Sequence, residues 1–272
     1  MSTAPETTSD EWTITAVDVA GYLARIGHPA VPAPTAAALR SLHEAHIRAI
    51  PFENIDVLLH QHPGVGLDVI ADKLVTRRRG GYCYEHALLF AAVAEQLGYA
   101  VRRRMSRIEP DRPGPRTHMT LTVTAQGREY LVDIGYGAGM YRPMPLAEGE
   151  VVDQAGWPHR LVRDGALWLL QKQESGGWRT LHGFDDQEQH PVDYAVAHHY
   201  VSSHPRSPFS QQLVVMRLAE GLSRRLVGEE LTVEHADGRT DTRPVPRAEL
   251  ATLLPELGLR LTEDELRRLI ER

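Results

Sequence analysis

The 272-residue chain contains a single cysteine, Cys83. One thiol excludes an intrachain disulfide and any cysteine-built metal cluster, and it points to a reducing compartment, the cytoplasm. The fourteen histidines do not supply a metal motif in its place. No His-Glu-x-x-His occurs, and His198 and His199 are neighbours that point apart on a helix or a strand, so no metal site is expected. No apolar run approaches the length of a membrane span. Met1 to Asp10 lacks the basic and apolar regions of a signal peptide and reads as a disordered tail. Positive charge is not in excess: 36 acidic against 30 basic residues leave a net charge of −6. That excludes bulk affinity for nucleic acid or for anionic membranes. Short clusters such as Arg77–Arg79 and Arg102–Arg104 lie beside apolar runs and read as solvated turns and strand faces. A nucleotide-type phosphate loop, an internal repeat and low-complexity segments are also missing.

Hydrophobic residues at 42% and charged residues at 24% are the balance of an ordinary globular protein. The length therefore implies one large domain or two to three lobes. Residues 11–100 read as a helical lobe. Val17 to Ile26 carries apolar residues at helical spacing, stopped by Gly27 and Pro29. Thr35 caps a second helix that Pro51 ends. Asp68 to Val75 reads as a short helix. The run after Cys83, Ala87 to Leu97, is apolar almost all round, the mark of a buried helix, and Gly98 closes it.

From about residue 100 the pattern alternates as strands do. Tyr99–Ile108, His118–Thr124 and Tyr130–Ile134 come first. Arg160–Val162, Leu167–Gln173 and Trp178–Leu181 follow, so 101–210 reads as an antiparallel β-barrel. Residues 211–272 mix strands (Gln212–Arg217, Glu230–His235, separated by Ala219 to Gly228) with helices and read as an α/β lid. The final helix opens on a capping box, Thr262 with Glu265. The fold class is α+β.

Cys83 follows Gly80-Gly81-Tyr82 and precedes the buried helix. The free N–H groups and dipole of a helix start favour an anion there, a thiolate or an oxyanion. The bland alternative is a small buried hydrophobe. A thiolate nucleophile needs a base and a group to orient it. A hairpin turn centred between Gln126 and Gly127 puts Thr120 opposite Asp133. His118 and Asp133 then share a face as diagonal neighbours, with Cα atoms about 7–8 Å apart. His86, three residues beyond Cys83, is the rival base, but Glu85 points elsewhere. Asp133 stands in an otherwise apolar strand and needs a partner if buried. After it, Gly135, Gly137 and Gly139 would let backbone approach a ligand, with Tyr136 as a pocket wall.

These pieces resemble the arylamine N-acetyltransferase family, which includes actinobacterial amide synthases. The matching segments are Ile50-Pro-Phe-Glu-Asn-Ile-Asp56, Arg79-Gly-Gly-Tyr-Cys-Tyr-Glu85, Thr117-His118, Asp133-Ile-Gly-Tyr-Gly137 and Val201-Ser-Ser-His-Pro-Arg-Ser-Pro-Phe209. The resemblance implies a catalytic triad of Cys83, His118 and Asp133 on a helical lobe, barrel and lid with a cysteine-protease-like core. It implies ping-pong acyl transfer from a coenzyme A thioester, acetyl-CoA or another, to an aromatic amine or hydrazine, with no permanently bound cofactor. Glu53 and Arg79 match a buried acid and base that brace the cysteine loop. Tyr136 and Gly137 match the acceptor pocket, and Ser203 and Phe209 lie in a segment near the acyl donor. Ala87 stands where many members carry Asn, and after Gly137 only Pro145-Leu146 keeps the usual pattern. Two alternatives follow. One is an amide synthase taking a polyketide chain from an acyl carrier protein. The other is a thiol hydrolase.

Overall fold

The computed structural model describes residues 11–28 and 30–272. The expected tail at 1–10 and the helix stop at Pro29 lie outside them. Helix α1 (Val19–Ile26) begins where the Asp18 carboxylate accepts from the Ala20 N–H at 3.0 Å. Gly27 ends it in the left-handed region, as a C-cap glycine does. Helix α2 (Ala36–Ala49) starts at Thr35, whose hydroxyl accepts from the Ala38 N–H at 3.2 Å. Strand β1 (Phe52–Glu53) and the short helices α3 (Ile55–Leu58) and α4 (Leu67–Ala71) follow. The piece expected as one helix over 68–75 changes to a wider π turn at Asp72–Thr76, which carries Lys73 into the interior. Helix α5 (Cys83–Gln96) is buried on every side from Cys83 to Ala94, as its all-round apolar sequence requires.

Eight antiparallel strands come next. They are β2 (Ala100–Ile108), β3 (His118–Ala125), β4 (Arg128–Val132), β5 (Met144–Pro145), β6 (Val151–Asp153), β7 (Pro158–Asp164), β8 (Leu167–Glu174) and β9 (Gly177–Phe184). Their order in the sheet is β5-β4-β3-β2-β9-β8-β7-β6. The chain between the two edges ties them together: Met144 and Pro145 pair with β4, and Glu148 bridges to Leu161 of β7. The sheet thereby comes close to a closed barrel, which removes most exposed edge. The β3–β4 turn uses Gln126 and Gly127, both at positive φ, as a two-residue hairpin needs. Its register sets Leu121 opposite Val132, so Thr120 and Asp133 fall opposite each other, the pairing read from the sequence. Strand alternation then divides β3. Met119, Leu121 and Val123 join the core that contains α5, while His118, Thr120 and Thr122 take the other face, shared with Leu131 and the barrel interior.

The stretch 191–211, read from sequence as part of the barrel region, is helical: α6 (Pro191–Ser203) and α7 (Pro208–Gln211). A second sheet holds β10 (Val214–Ala219), β11 (Leu222–Val227), β12 (Glu230–His235) and β13 (Thr240–Pro244). The 219–228 segment is thus a strand between two glycine turns, not a separator. Strand β1 is the edge of this sheet, with Phe52 opposite Met216, so the helical lobe and the C-terminal region share hydrogen bonds. Helices α8 (Leu250–Glu256) and α9 (Glu263–Glu271) close the chain. At the α9 start the Thr262 hydroxyl accepts from the Glu265 N–H at 3.2 Å, and the Glu265 carboxylate accepts from the Thr262 N–H at 2.9 Å. Among the described residues no helix is long and apolar enough to cross a membrane.

Candidate active site

Cys83 is the first residue of α5, so its backbone lies among the free N–H groups of a fourteen-residue helix. The loop that delivers it has no spare room. A Cβ on Gly80 would stand 2.3 Å from the Pro51 carbonyl oxygen, and one on Gly135 would stand 2.7 Å from the Cys83 Cα. These glycines bring backbone against backbone; the expected close approach to a ligand is at Gly135 an approach to the Cys83 backbone. Glu85 reaches back to accept from the Tyr82 N–H at 3.0 Å.

The register described above brings His118 and Asp133 together on the interior face. His118 Nε2 lies 2.8 and 2.9 Å from the two Asp133 carboxylate oxygens, and both residues are buried. The other side of the ring faces the Cys83 sulfur. Burial disfavours a charged ring, but the Asp133 carboxylate and then Cys83 outweigh it and hold His118 at about 10. Asp133 moves in the opposite sense: burial opposes its charge, yet His118 and His182 keep it well below the usual carboxylate range. The arrangement keeps an imidazolium available beside the sulfur.

His86, the rival base, is removed from this role. Its Nδ1 lies 2.7 Å from His46 Nε2 and its Nε2 donates to the Gly81 carbonyl at 2.9 Å. Burial pushes it down to about 4, so it stays neutral and pins the loop before the cysteine.

His182 was not anticipated from the sequence. Its Nε2 donates to Asp133 Oδ2 at 2.7 Å, and its Nδ1 is buried without a partner among the described residues. A second proton would therefore have no acceptor, and burial lowers the ring's pKa. His182 is a neutral donor that leaves His118 as the cation of the pair. A bulge explains its position: Leu170 pairs with His182 but Gln171 pairs with Thr180, leaving Leu181 unmatched. The alternation shifts by one there, so Arg179 and Leu181 line the cavity while His182 reaches Asp133 in the barrel interior. His118, Asp133 and His182 are the one set with metal-compatible spacing among the described residues, but their facing atoms are joined by hydrogen bonds.

Below the loop that carries Cys83 lies a buried ion network. Arg79 donates to Glu53 at 3.0 Å and to Glu265 of α9 at 2.7 Å. Lys73 donates to Glu85 at 2.9 Å and stands 2.9 Å from Asp56. Glu53 and Arg79 were foreseen; Lys73 was not, since no local pattern marks a lysine as buried.

A cavity of about 500 Å³ opens beside Cys83 and His118. Tyr136, Phe52, Phe209 and Met216 form its apolar walls. The Tyr136 ring stands edge-on to His118 at 5.4 Å between centroids. Two expected contacts fall elsewhere. Ser203 is exposed and donates to the His199 carbonyl within its own helix, and Ser207 lines the wall instead. Gly137 lies behind the wall, where a Cβ would come within 2.6 Å of the Met216 sulfur.

Known proteins match this chain over most of its length. The N-acetyltransferase family model matches residues 35–266. The arylamine N-acetyltransferase of Mycolicibacterium smegmatis is 38% identical over 235 residues, 83% of this chain and 85% of that protein. The corresponding protein of Mycobacterium tuberculosis is 37% identical over 254 residues, 89% of this chain and 88% of its own length. Among solved structures, the arylamine N-acetyltransferase of Nocardia farcinica superposes with a TM-score of 0.90 at 36% identity, covering 98% of both chains. That of Mycobacterium marinum, solved in complex with CoA, gives 0.86 at 36% identity, covering 93% of this chain and 99% of that one. The chain belongs to the arylamine N-acetyltransferase family.

Proposed function

We propose that the protein transfers an acetyl group from acetyl-CoA to an aromatic amine or hydrazine through an acetyl-Cys83 intermediate. One observation carries the reading: a helix-start thiol faces a histidine whose far nitrogen is held by a buried carboxylate, on the wall of an apolar cavity. Family membership supports acetyl as the group, and the CoA complex of the Mycobacterium marinum protein supports a CoA-linked donor. Neither the amide synthase nor the hydrolase is favoured by the relatives, and no carrier protein is invoked. The cytoplasm, reducing and supplied with CoA thioesters, suits a thiol nucleophile.

The chemistry runs in two halves. His118, held by Asp133, keeps Cys83 as a thiolate in an ion pair. The sulfur attacks the thioester carbonyl, and the oxyanion rests on N–H groups at the start of α5. The C–S bond to coenzyme A breaks, and the departing thiolate takes the proton of His118. The amine nitrogen then attacks the acetyl-cysteine. His118 accepts its proton, and Cys83 leaves as the thiolate. An aromatic amine is weakly basic, so it is a neutral nucleophile at neutral pH. Tyr136 and Phe209 shape the acceptor space, Gly137 supports its wall, and Glu53 with Arg79 brace the cysteine loop.

The test is intact mass after mixing with acetyl-CoA, then with an aromatic amine. Wild type should gain one acetyl group and lose it to the amine. No adduct, or an equal adduct on Cys83→Ser, would sink the proposal.

A further inference from the structure

The residue before His118 is held by both of its backbone polar groups. The Thr117 N–H donates to the Ser106 carbonyl at 3.1 Å, extending the β2–β3 ladder by one bond. The Thr117 carbonyl accepts from the Tyr84 hydroxyl at 2.7 Å. The same carbonyl oxygen lies 3.9 Å from the Cys83 sulfur. Cys83 and Tyr84 are the first two residues of α5, so consecutive side chains of one helix start meet one backbone oxygen.

That oxygen bears on the charge of the sulfur. A carbonyl oxygen carries partial negative charge and seeks a donor. Beside a thiol it accepts the S–H and favours the neutral form; beside a thiolate it repels. The low dielectric of a buried site enlarges both effects. A phenol O–H is a far stronger donor than an S–H. At 2.7 Å it satisfies the oxygen and offsets part of its negative charge.

Packing does not account for the Tyr84 hydroxyl. The side chain is fully buried, and its ring stands edge-on to Tyr82 at 5.4 Å, Tyr194 at 6.2 Å and His198 at 6.4 Å between centroids. A phenylalanine ring would fill that space equally well. Among the described residues the acceptor for the hydroxyl is the Thr117 carbonyl. Burial, and then the charge of Cys83, raise the Tyr84 pKa well above the usual phenol range, so the group remains an O–H donor.

We propose that Tyr84 is a positioning residue for acyl transfer: its hydroxyl engages the Thr117 carbonyl, so that this oxygen does not hold the Cys83 proton and the sulfur is left to His118 as a thiolate. The inference rests on the Cys83–His118 ion pair of the reading above and adds a side chain that acts on it through the backbone.

The experiment is the pH dependence of iodoacetamide alkylation of Cys83 in the full chain, which needs neither acyl donor nor amine. The rate has an acid limb, where the thiol gives way to thiolate beside the imidazolium, and an alkaline limb, where the imidazolium is lost. Tyr84→Phe should move the acid limb up by about one pH unit, a tenfold change, the scale of one hydrogen bond. Acylation by acetyl-CoA, measured below the acid limb, should slow about tenfold in parallel. The alkaline limb should stay, because the sulfur is a thiolate on both sides of it. If both limbs move together, the hydroxyl merely keeps His118 in place and the proposal fails; if neither moves, it fails as well. Should Tyr84→Phe not fold, 3-fluorotyrosine at position 84 decides. Fluorine makes the O–H a stronger donor, so the acid limb should drop below that of wild type, and an unmoved or raised limb overturns the proposal. A wild-type profile centred near the ordinary thiol value of about 8.5 would instead sink the ion pair, and with it the functional reading.

Discussion

Lys73 and Lys172 are both largely buried ammonium groups, and their surroundings are opposite. Lys73 donates to both oxygens of Glu85, at 2.9 and 3.2 Å, and stands 2.9 Å from Asp56 and 3.9 Å from Glu53. Burial opposes its charge, but these carboxylates raise its pKa well above the ordinary lysine value. Lys172 has Glu234 at 3.9 Å, and burial lowers it. The first lysine is compensated by the protein and holds the start of α5 to α3, beside the Arg79 pair with Glu265 of α9. The second faces the cavity with only Glu234 near it, at 3.9 Å and already engaged by Arg225. Charge that the fold neutralises serves stability; charge left open onto a cavity marks where a ligand completes it. The His118–Asp133–His182 group combines the two conditions, being fully compensated at the carboxylate yet open at the side facing Cys83.

The largest expected effect tests that third case. Asp133→Asn keeps the shape but removes the anion that holds His118, and should lower the acylation rate by about 10³–10⁴-fold. The sign of the pH effect is set. His118 is raised to about 10, so the imidazolium persists below that and acylation falls as pH rises through it. Without the carboxylate this alkaline limb moves to lower pH, as rapid-quench acylation across pH 6–11 would record. An unmoved limb would mean that Asp133 does not set the charge of His118.

Lys73→Met leaves Glu85 buried without its lysine and Asp56 with Arg79 alone, at 3.5 Å. It should destabilise the protein by about 3–5 kcal/mol, read from urea unfolding. The same substitution at Lys172 should change stability by less than about 1 kcal/mol, because no buried partner is abandoned. Equal losses would break the comparison between the two lysines. Acid sharpens it further. Glu85, Asp56 and Asp133 all have depressed pKa values. Their contribution is present above the unfolded carboxylate values of about 3.9–4.3 and is lost as pH falls below them. Wild-type stability should therefore fall steeply below about pH 4, and in Lys73→Met the fall should be shallower, because part of that contribution is already gone.

The smallest effect concerns His182. His182→Leu removes a neutral donor to Asp133 and should slow acylation about tenfold, with the alkaline limb displaced. His182→Gln, which keeps an N–H donor, should recover most of the rate. If Gln is no better than Leu, the ring serves packing alone.

Local chemistry made much of this molecule legible in advance. Asp18 and Thr35 capped helices, Gly27 ended one, and the Thr262–Glu265 box opened the last, because caps act within a single turn of chain. Cys83 at a helix start followed from two glycines and an apolar run. The pairing of His118 with Asp133 followed from a two-residue turn, since a hairpin's register is fixed by its own turn. Strand β11 was missed because Leu222–Val227 carries Ser223, Arg224 and Arg225 where a half-buried strand would be apolar; Ser223 and Arg225 line the cavity and Arg224 faces solvent.

The sequence by itself thus determined that Cys83 opens a buried helix and that His118 meets Asp133, because each depends on contacts within one helix start or one hairpin. Tertiary structure alone decided that His182 supports Asp133 from β9, through a one-residue bulge that inverts strand alternation. It decided that Lys73 is enclosed by carboxylates from two segments, Glu53 with Asp56 and Glu85, and that Lys172 meets Ser223 and Arg225 across a cleft. In each of these the partners are far apart in the chain, and the burial that gives a charge its energetic weight exists only once the sheets and helices have closed around it.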